Sequence, residues 1–298
     1  MPCLYLLAII LVAPSITFAA EELPLSLIRI PESVASVFVA ETSTAEFHRF
    51  NRSGDAMVYS SSHYMSIGEA GVGKERSGDR RTPLGVYFVT EKLDTSRLHQ
   101  KYGVMAYSLD YPNAWDLRAG RSGDGIWVHG VDPRDGKRPA KDTDGCIVLQ
   151  NDDLIMLAPE FRDNVTPVLV TQKIDWGVSN QITALRIELE NAVAEWVGSK
   201  AAGDLHAYLS FYDEGFQHWG MDKAEWLSFS VQTVDFRSID AISVNDLLLL
   251  GYPEEEGIYL SRFRQLVIAG DLQIESTKRL YWRRNASGAL KIIAEDEG

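Results

Sequence analysis

The sequence predicts a mainly β domain followed by a smaller α+β domain. From Val37 onward, short runs of β-branched and aromatic residues alternate with turn-forming segments, which indicates hairpins of a mainly antiparallel sheet. The composition changes near residues 173–180, and residues 182–197 then show the periodicity of a helix. Helices followed by strand-like runs are typical of an α+β domain. The length of 298 residues agrees with about two domains of ~100–200 residues each.

The individual elements follow from the same patterns. In the first domain we predict strands over residues 37–40, 45–50, 56–60, 86–89, 125–129 and 166–171, and a helix over 151–161 with Asn151 as its N-cap. In the second domain we predict helices over 182–197, 203–216 and 222–229, and strands over 239–250, 258–268 and 278–284, with a last one near 291–293. Residues 21–36 are expected to have weak structure. Residues 101–124 are expected to form an irregular binding loop.

The first residues differ in composition from the rest of the chain. The run LYLLAIILVA at residues 4–13 is apolar and uncharged, Pro14 ends it, and small residues follow. This pattern is typical of a secretory signal peptide, to which we assign residues 1–19, with cleavage after about Ala19. An uncleaved anchor is the alternative, although the run is shorter than the ~20 residues that a membrane span needs.

Charge and cysteine content limit the classes of function. The formal net charge of −13 argues against a nucleic-acid partner, which normally requires a basic face. Of the two cysteines, Cys3 lies in the predicted signal peptide, so the mature chain keeps only Cys146. A lone cysteine in an exported protein has no internal disulfide partner. It is either a reactive thiol or a small buried side chain.

A glycine-rich loop over residues 66–85 carries a group of basic residues. One interpretation is a solvated loop. The other is that Arg80 and Arg81 bind a substrate carboxylate, because guanidinium groups bind carboxylates in a bidentate manner. The phosphate-binding motif G-x-x-x-x-G-K-[ST] is absent from this loop.

The segment GIWVHGVDPRDGKRPAKDTDGCIVL at residues 125–149 holds the strongest chemical signal. A Cys146 thiolate is a nucleophile, and the imidazole of His129 is a base that can accept its proton. Backbone N–H groups around Asp144, Gly145 and Cys146 are candidates for an oxyanion hole, with Thr143 as further support of this loop, and Gly145 permits an unusual backbone conformation there.

Two features of this site stay open on the residues alone. The group that orients the histidine ring is either a carboxylate, from Asp132, Asp135, Asp142 or Asp144, or a backbone carbonyl. Neither His129 nor Cys146 has a companion at metal-ligand spacing, so we predict no metal and no cofactor.

These motifs resemble the L,D-transpeptidase catalytic domain of bacterial cell-wall enzymes. The resemblance rests on HG at 129–130, TDGCI at 143–147, GDRRTPLGVY at 78–87 and YPN at 111–113, and it covers about residues 36–172. It implies that Cys146 is the acylated nucleophile, that His129 is its base, and that the carbonyl of Gly130 orients the ring. It also implies a peptidoglycan stem peptide as substrate, with Tyr111 as a further candidate contact.

The match departs from the family pattern at two positions. Most members have a histidine before the Gly-Cys pair and an arginine shortly after the cysteine, whereas this chain has Asp144 and Val148. Residues 181–298 resemble the cone of nuclear-transport-factor-2-like (NTF2-like) domains. The two domains together resemble cell-shape-determining LD-carboxypeptidases, which remove the terminal D-alanine from a tetrapeptide.

The sequence therefore predicts a periplasmic cysteine enzyme with a peripheral association to the cell wall. Cys146 would form a thioester with a stem tetrapeptide, release D-alanine and transfer the acyl group to an amine. The alternatives are transfer to water, which trims the tetrapeptide to a tripeptide, and a non-catalytic peptidoglycan-binding module. The sequence does not predict the oligomeric state.

Overall fold

The computed structural model describes residues 22–233 and 239–298, which form two β-rich domains in mutual contact. The predicted signal peptide over residues 1–19 lies outside the described residues. Within the described ranges, no helix combines the length and the apolar character that a bilayer crossing requires.

The first domain is built on one nine-stranded sheet. Its strands are β3 (Ser36–Glu41), β4 (Glu46–Ser53), β5 (Ala56–Gly68), β6 (Gly85–Leu93), β7 (Ala106–Leu109), β8 (Trp127–His129), β9 (Lys141–Thr143), β10 (Ile147–Leu149) and β11 (Pro167–Thr171). The strand order is β10-β8-β7-β6-β11-β3-β4-β5-β9, and β10 also pairs with β5. That additional pairing closes the sheet on itself, so most of its strands have a neighbour on each side.

The pairing is mainly antiparallel, as the sequence predicts, but one parallel pair is important for the site. Strands β8 and β10 run parallel, with Ile147 opposite Val128 and Val148 opposite His129. Side chains alternate between the two faces of a strand. Val128, Ile147 and Leu149 therefore point into the first domain's hydrophobic core, and His129 and Val148 point away from it.

The second domain is an α+β cone with a seven-stranded sheet. Six of the seven strands are β13 (Tyr212–His218), β14 (Met221–Asp222), β15 (Ala241–Gly251), β16 (Ile258–Ala269), β17 (Leu272–Arg284) and β18 (Leu290–Asp296), and the seventh, β2 (Leu27–Arg29), precedes the first domain. The helices are α3 (Thr183–Ala201), α4 (Leu205–Ser210) and α5 (Lys223–Thr233). The helices cover one face of the sheet, and buried aromatic residues such as Trp196, Tyr212 and Trp282 fill the space between them. Burial of such large apolar side chains is the main stabilising term of this domain.

The segment before the first domain is more ordered than we predicted from its sequence. Strand β2 (Leu27–Arg29) adds to the sheet of the second domain by pairing with β15, and β1 (Leu23–Pro24) pairs with β12 (Trp176–Gly177). Leu27 and Ile28 are buried. Since the stability of these strands comes from distant partners, the local sequence carried no signal for them.

Two other predictions were wrong in part. The helix predicted over residues 203–216 ends at Ser210, and Tyr212 and Phe216 lie on strand β13. The stretch 101–124 is not irregular throughout, because it contains β7 and the short helix α1 (Ala114–Arg118). The helix predicted over residues 151–161 is present as α2 (Asn151–Leu157), which continues as a 3₁₀ turn over Ala158–Glu160.

Helix α1 connects the two domains. Asn113 caps it by accepting a hydrogen bond from the Asp116 N–H, and the Asn113 amide donates to the Tyr252 hydroxyl of the second domain (3.1 Å). The Trp115 indole N–H donates to Glu255 (2.9 Å). One hydrophobic cluster also includes residues of both domains, among them Val39 and Tyr281. The YPN segment at 111–113 therefore supports the domain contact.

A buried ionic cluster lies in the same contact. The Arg279 guanidinium donates to Asp296 of its own domain and to Asp110 of the first domain. The Arg279 side chain is 9% exposed and that of Asp110 is 13% exposed. Burial raises the pKa of Asp110, and the neighbouring Arg279 opposes that rise. Without the guanidinium, two mostly buried carboxylates would face each other unpaired.

We therefore expect Arg279→Ala to lower the free energy of unfolding by about 3–5 kcal/mol, because removing one partner of a buried ion pair leaves uncompensated charge. The matched control is Arg264→Ala, which removes an exposed pair with Asp246 and Glu275 and should change stability by about 0–1 kcal/mol. Urea unfolding followed by circular dichroism measures both. Equal effects of the two variants would contradict the prediction.

Candidate active site

The structure brings His129 and Cys146 to the same cleft. His129 ends β8, and Cys146 directly precedes β10. Because Val148 pairs with His129 and lies two positions after Cys146, strand alternation places both side chains on the outer face of the sheet. The pairing of two strands thus joins residues that a long polar loop separates in the sequence.

Hydrogen bonding fixes the tautomer of His129. Its Nδ1 lies 2.7 Å from the carbonyl oxygen of Gly130. A carbonyl oxygen only accepts, so Nδ1 carries the proton and Nε2 keeps a lone pair. Of the orienting groups considered from the sequence, the Gly130 carbonyl is the one that contacts the ring within the described residues. The nearby carboxylates have other partners: Asp132 binds Arg134, Asp142 binds Arg138, and Asp144 binds Lys101.

The electrostatics favour a neutral pair in the resting site. Burial lowers the pKa of His129 to about 4, with smaller contributions in the same direction from Arg138 and Lys101, while the Gly130 hydrogen bond acts oppositely. Burial raises the pKa of the Cys146 thiol, although a backbone hydrogen bond from Trp127 partly offsets it. The thiol donates to the carbonyl oxygen of Gly125 (3.4 Å). At neutral pH the cleft therefore holds a protonated thiol and a neutral imidazole.

Asn151 holds the backbone on which His129 depends. Its side-chain oxygen accepts from the N–H groups of Val104 (3.3 Å) and Val131 (3.2 Å), and its amide donates to the Val131 carbonyl (3.0 Å). A Cβ atom on Gly130 would overlap this side-chain oxygen. The N-cap prediction for Asn151 was wrong: the N-cap of α2 is Gln150, which makes no side-chain cap bond. Asn151 instead positions the Gly130 segment, a role that needs long-range contacts invisible in one sequence.

Thr82 holds the turn before the nucleophile in a similar way. Its buried hydroxyl donates to the Gly145 carbonyl (2.8 Å) and accepts from the Gly68 N–H (2.9 Å). Gly145 has a φ of +129°, and a Cβ there would lie 2.7 Å from the Arg81 carbonyl oxygen. Glycine is therefore required at 145 both by its backbone conformation and by the close approach of Arg81. Thr82 and Gly145 are 63 positions apart, so the local sequence carries no signal for this contact.

One hydrogen bond changes which backbone N–H groups near Cys146 can stabilise an oxyanion. The Gly145 N–H donates to the Thr143 hydroxyl (3.0 Å), which in turn donates to the Cys146 carbonyl (2.8 Å). The Gly145 N–H is thus engaged within the turn. The N–H groups of Asp144 and Cys146 remain the candidates for stabilising an oxyanion, and Thr143 shapes the turn that presents them.

The geometry gives no support to the three substrate-binding residues predicted from sequence. Arg80 pairs with Glu69, and Arg81 donates to the Val72 carbonyl; neither side chain lines the cleft. Tyr111 is buried, and its hydroxyl donates to the Ser122 carbonyl (3.1 Å). Lys74, Lys101 and Arg138 line the cleft instead. Lys101 and Arg138 lie in stretches that the sequence indicated only as loops.

Acidic residues lie beside these cations, so the cleft has mixed charge. Its acidic lining residues are Glu69, Asp124, Asp142 and Asp144. Lys101 pairs with Asp144 at 3.4 Å, and both side chains are about half exposed or more, so this pair is worth only about 0–1 kcal/mol. Tyr102 lies beside His129 and Trp127, with ring centroids 5.0 and 4.7 Å away. It forms an aromatic wall next to the imidazole.

Two family models match the chain, one in each domain. Residues 39–170 match the family model of the YkuD L,D-transpeptidase catalytic domain, and residues 188–296 match the model of the Cds6 C-terminal NTF2-like domain. The chain therefore consists of an L,D-transpeptidase catalytic domain followed by a C-terminal NTF2-like domain, as the sequence motifs predicted. No curated protein matches the chain significantly.

Two solved structures share the whole two-domain architecture. The helical cell shape determining protein Pgp2 from Campylobacter jejuni is 25% identical, with a TM-score of 0.74 over 91% of this chain and 95% of that chain. The structure of Bdellovibrio bacteriovorus Bd1075 superimposes with a TM-score of 0.76 at 24% identity, over 93% of this chain and 98% of that one. At 24% identity, the similarity to Bd1075 shows a shared fold only.

The glycine at 130 provides a test of ring positioning. We expect Gly130→Ala to lower the rate of acylation of Cys146 by about 10²-fold, because the overlap with Asn151 must displace the carbonyl that orients His129, and a shift of about 1 Å has such an effect. The matched control is Gly136→Ala, where an added Cβ has no neighbour within 4 Å. Mass spectrometry of carbapenem-treated protein measures the acylation rate. A Gly130→Ala rate equal to that of Gly136→Ala would contradict this role.

The pH dependence of thiol labelling tests the neutral-pair assignment. Because burial raises the Cys146 pKa, the alkylation rate with iodoacetamide should continue to rise above about pH 8.5, the pKa of an ordinary thiol. The same protein unfolded in urea should show the ordinary midpoint, and Cys146→Ser provides the blank. A midpoint at or below pH 7 would instead indicate a resting thiolate–imidazolium pair.

Proposed function

We propose that the chain is a periplasmic cysteine enzyme that acts on peptidoglycan stem peptides through a thioester on Cys146. The observation that carries the proposal is the arrangement of His129, whose Nδ1 donates to Gly130 and whose Nε2 lone pair is free to accept the thiol proton. The match of residues 39–170 to an L,D-transpeptidase catalytic domain supports the substrate class. The predicted signal peptide supports export.

The first half-reaction forms the thioester. His129 Nε2 takes the proton from Cys146 Sγ as the sulfur attacks the carbonyl carbon of the diaminopimelate residue, at its L-centre, that is joined to D-alanine. The resulting oxyanion is stabilised by backbone N–H groups at the turn before β10. The C–N bond then breaks, the imidazolium gives its proton to the departing amine, and D-alanine leaves. Microscopic reversal of the same proton transfers lets His129 activate the acyl acceptor.

The mixed charge of the cleft supports a stem peptide as the ligand. Such a peptide carries carboxylates as well as the free amine of diaminopimelate, and the cleft offers both Lys101 and Asp144 as partners. Because the Lys101–Asp144 pair is exposed and weak, a bound peptide can replace it with two charge-assisted contacts at little expense. A uniformly basic or acidic cleft would match only one half of such a ligand.

The size of the cleft favours water over an amine as the acceptor. Its volume is about 400 Å³, near the lower end of the ~300–1,000 Å³ that holds one drug-sized ligand. One stem peptide fills this space, and a second would have to bind outside it. The reaction would then trim a tetrapeptide to a tripeptide. Transfer to an amine, which forms a crosslink, is the second candidate and shares every step up to the thioester.

The test is a product assay with purified tetrapeptide, followed by mass spectrometry. We expect tripeptide and free D-alanine, a loss of at least 10²-fold in rate for His129→Ala because general acid–base help of this kind contributes about 10²–10⁴, and no product from Cys146→Ser. Crosslinked dimers would instead support the amine as acceptor. If the tetrapeptide is recovered intact and Cys146 of the folded protein does not react with a thiol reagent, the chain is a non-catalytic binding module.

A further inference from the structure

Three side chains that can bind a metal ion meet at the hairpin formed by β3 and β4, apart from the cleft that contains Cys146. Glu41 lies directly opposite Glu46 in this strand pair, and His48 follows Glu46 by two positions on β4. Residues two apart in a strand point to the same face, and so do residues directly opposite each other. One ligand atom from each of the three side chains lies within 4.8 Å of the other two. None of the three residues lines the cleft around Cys146.

The cluster carries more negative charge than its surroundings balance. Like charges directly opposite each other in a sheet are destabilising, and the Glu41 side chain is only 9% exposed, where a charge is costly unless it is paired. In the part of the chain that the structure describes, neither Glu41 nor Glu46 has a lysine or arginine within ion-pair distance. The Ile174 N–H (2.9 Å) and the Thr44 hydroxyl (3.2 Å) donate to Glu41 but carry no net charge. A cation between the two carboxylates would balance them.

The surroundings of His48 favour a lone pair on the nitrogen that faces the carboxylates. The His48 side chain is 7% exposed, and its Nδ1 is buried without a hydrogen-bond partner among the described residues. The neighbouring rings are those of Tyr59 and Trp176, each with its centroid 6.1 Å away. Aromatic surroundings accept an N–H more readily than a lone pair, which places the proton on Nδ1. The Nε2 lone pair then faces the carboxylate oxygens, and a cation between them turns this repulsion into coordination.

The distances agree with metal coordination better than with direct hydrogen bonds. Nε2 of His48 lies 3.3 Å from Oε2 of Glu41 and 3.7 Å from Oε2 of Glu46, longer than the usual ~2.7–3.2 Å of an N–H···O bond. Two ligands held about 2.0–2.1 Å from Zn²⁺ in tetrahedral geometry are about 3.4 Å apart. One imidazole and two carboxylates suit a transition-metal ion, whereas Ca²⁺ and Mg²⁺ prefer oxygen ligands alone. The Glu46 side chain is 46% exposed, so water can reach the fourth position.

We propose that Glu41, Glu46 and His48 bind a divalent transition-metal ion of the Zn²⁺ class, with water as the fourth ligand. Glu41 also accepts from the N–H of Ile174, which lies just before β12, the partner strand of β1. The ion would therefore join the β3–β4 hairpin to the segment that leaves the first domain, and its binding would add to the stability of the fold. The sequence-based expectation of no metal considered only the residues of the candidate active site.

The experiment is a calorimetric titration with ZnCl₂ of the full chain carrying Cys3→Ser and Cys146→Ser, which removes both thiols as competing ligands. We expect one Zn²⁺ per chain, a loss of at least tenfold in affinity for His48→Gln and for Glu46→Gln, and much weaker binding of Mg²⁺. The matched control is His63→Gln, which removes another buried histidine that is paired with a carboxylate and should bind Zn²⁺ as the parent does.

Thermal unfolding gives a second measurement. Zn²⁺ should raise the unfolding temperature of the parent and of His63→Gln but not that of His48→Gln, because an ion that binds only the folded state stabilises it. Circular dichroism without metal establishes that each variant is folded. Since the Glu46 side chain is nearly half exposed, Glu46→Gln provides the test if His48→Gln does not fold.

Three results would overturn the inference. These are no binding of Zn²⁺ up to millimolar concentration, equal Zn²⁺ affinity of the Glu46→Gln and His63→Gln variants, and equal binding of Mg²⁺ and Zn²⁺, which would indicate unspecific attraction of cations to an acidic protein. None of these measurements depends on the thioester chemistry, because the titrated protein lacks the Cys146 thiol.

Discussion

The parallel pairing of β8 with β10 is the constraint on which the candidate site depends. These strands have three residues each, and the register places Val148 opposite His129. A shift of this register by one residue would reverse the face on which Cys146 lies and would separate it from the imidazole. What prevents the shift is the apolar side of the same strands, because Val128 and Ile147 are fully buried in the core. Core packing on one face of the strands therefore fixes the positions of His129 and Cys146 on the opposite face.

Two neutral side chains, Thr82 and Asn151, bind backbone groups next to the β8–β10 pair; we call these contacts backbone clamps. Thr82 fixes the turn that carries Cys146, and Asn151 fixes the segment that carries the orienting carbonyl of Gly130. Both clamps use neutral side chains that bind backbone groups, so they add no charge that would perturb the pKa of His129 or Cys146. The glycines at 130 and 145 follow from the same contacts, since a Cβ at 130 would overlap the Asn151 side chain and one at 145 would meet the Arg81 carbonyl, next to Thr82. Preorganisation of this kind reduces the rearrangement needed during the reaction.

The sequence allowed the fold and the chemical pair to be predicted because both leave local signals. Strand alternation and turn residues mark most of the strands, and His129 and Cys146 stand in short motifs. The parts that could not be predicted are those that depend on distant partners. Asn151 has the sequence context of a helix cap, yet its amide binds Val131. Arg80 and Arg81 have the composition of an anion site, yet Glu69 and a backbone carbonyl engage them. Tyr212 continues a helical pattern but joins β18 as a strand residue.

The domain contact fixes the position of the second domain relative to the candidate site. Arg279 joins Asp110, directly after β7, to Asp296 at the end of β18, and Arg118 of α1 donates to the Gly215 carbonyl (2.7 Å) of β13. Strand β7 pairs in turn with β8, which ends at His129. The sheet that carries His129 is therefore connected through β7 to the ionic cluster and through α1 to the β13–β14 hairpin. Because these connections are buried or hydrogen-bonded, the NTF2-like domain holds a fixed orientation relative to the sheet that carries His129 and Cys146.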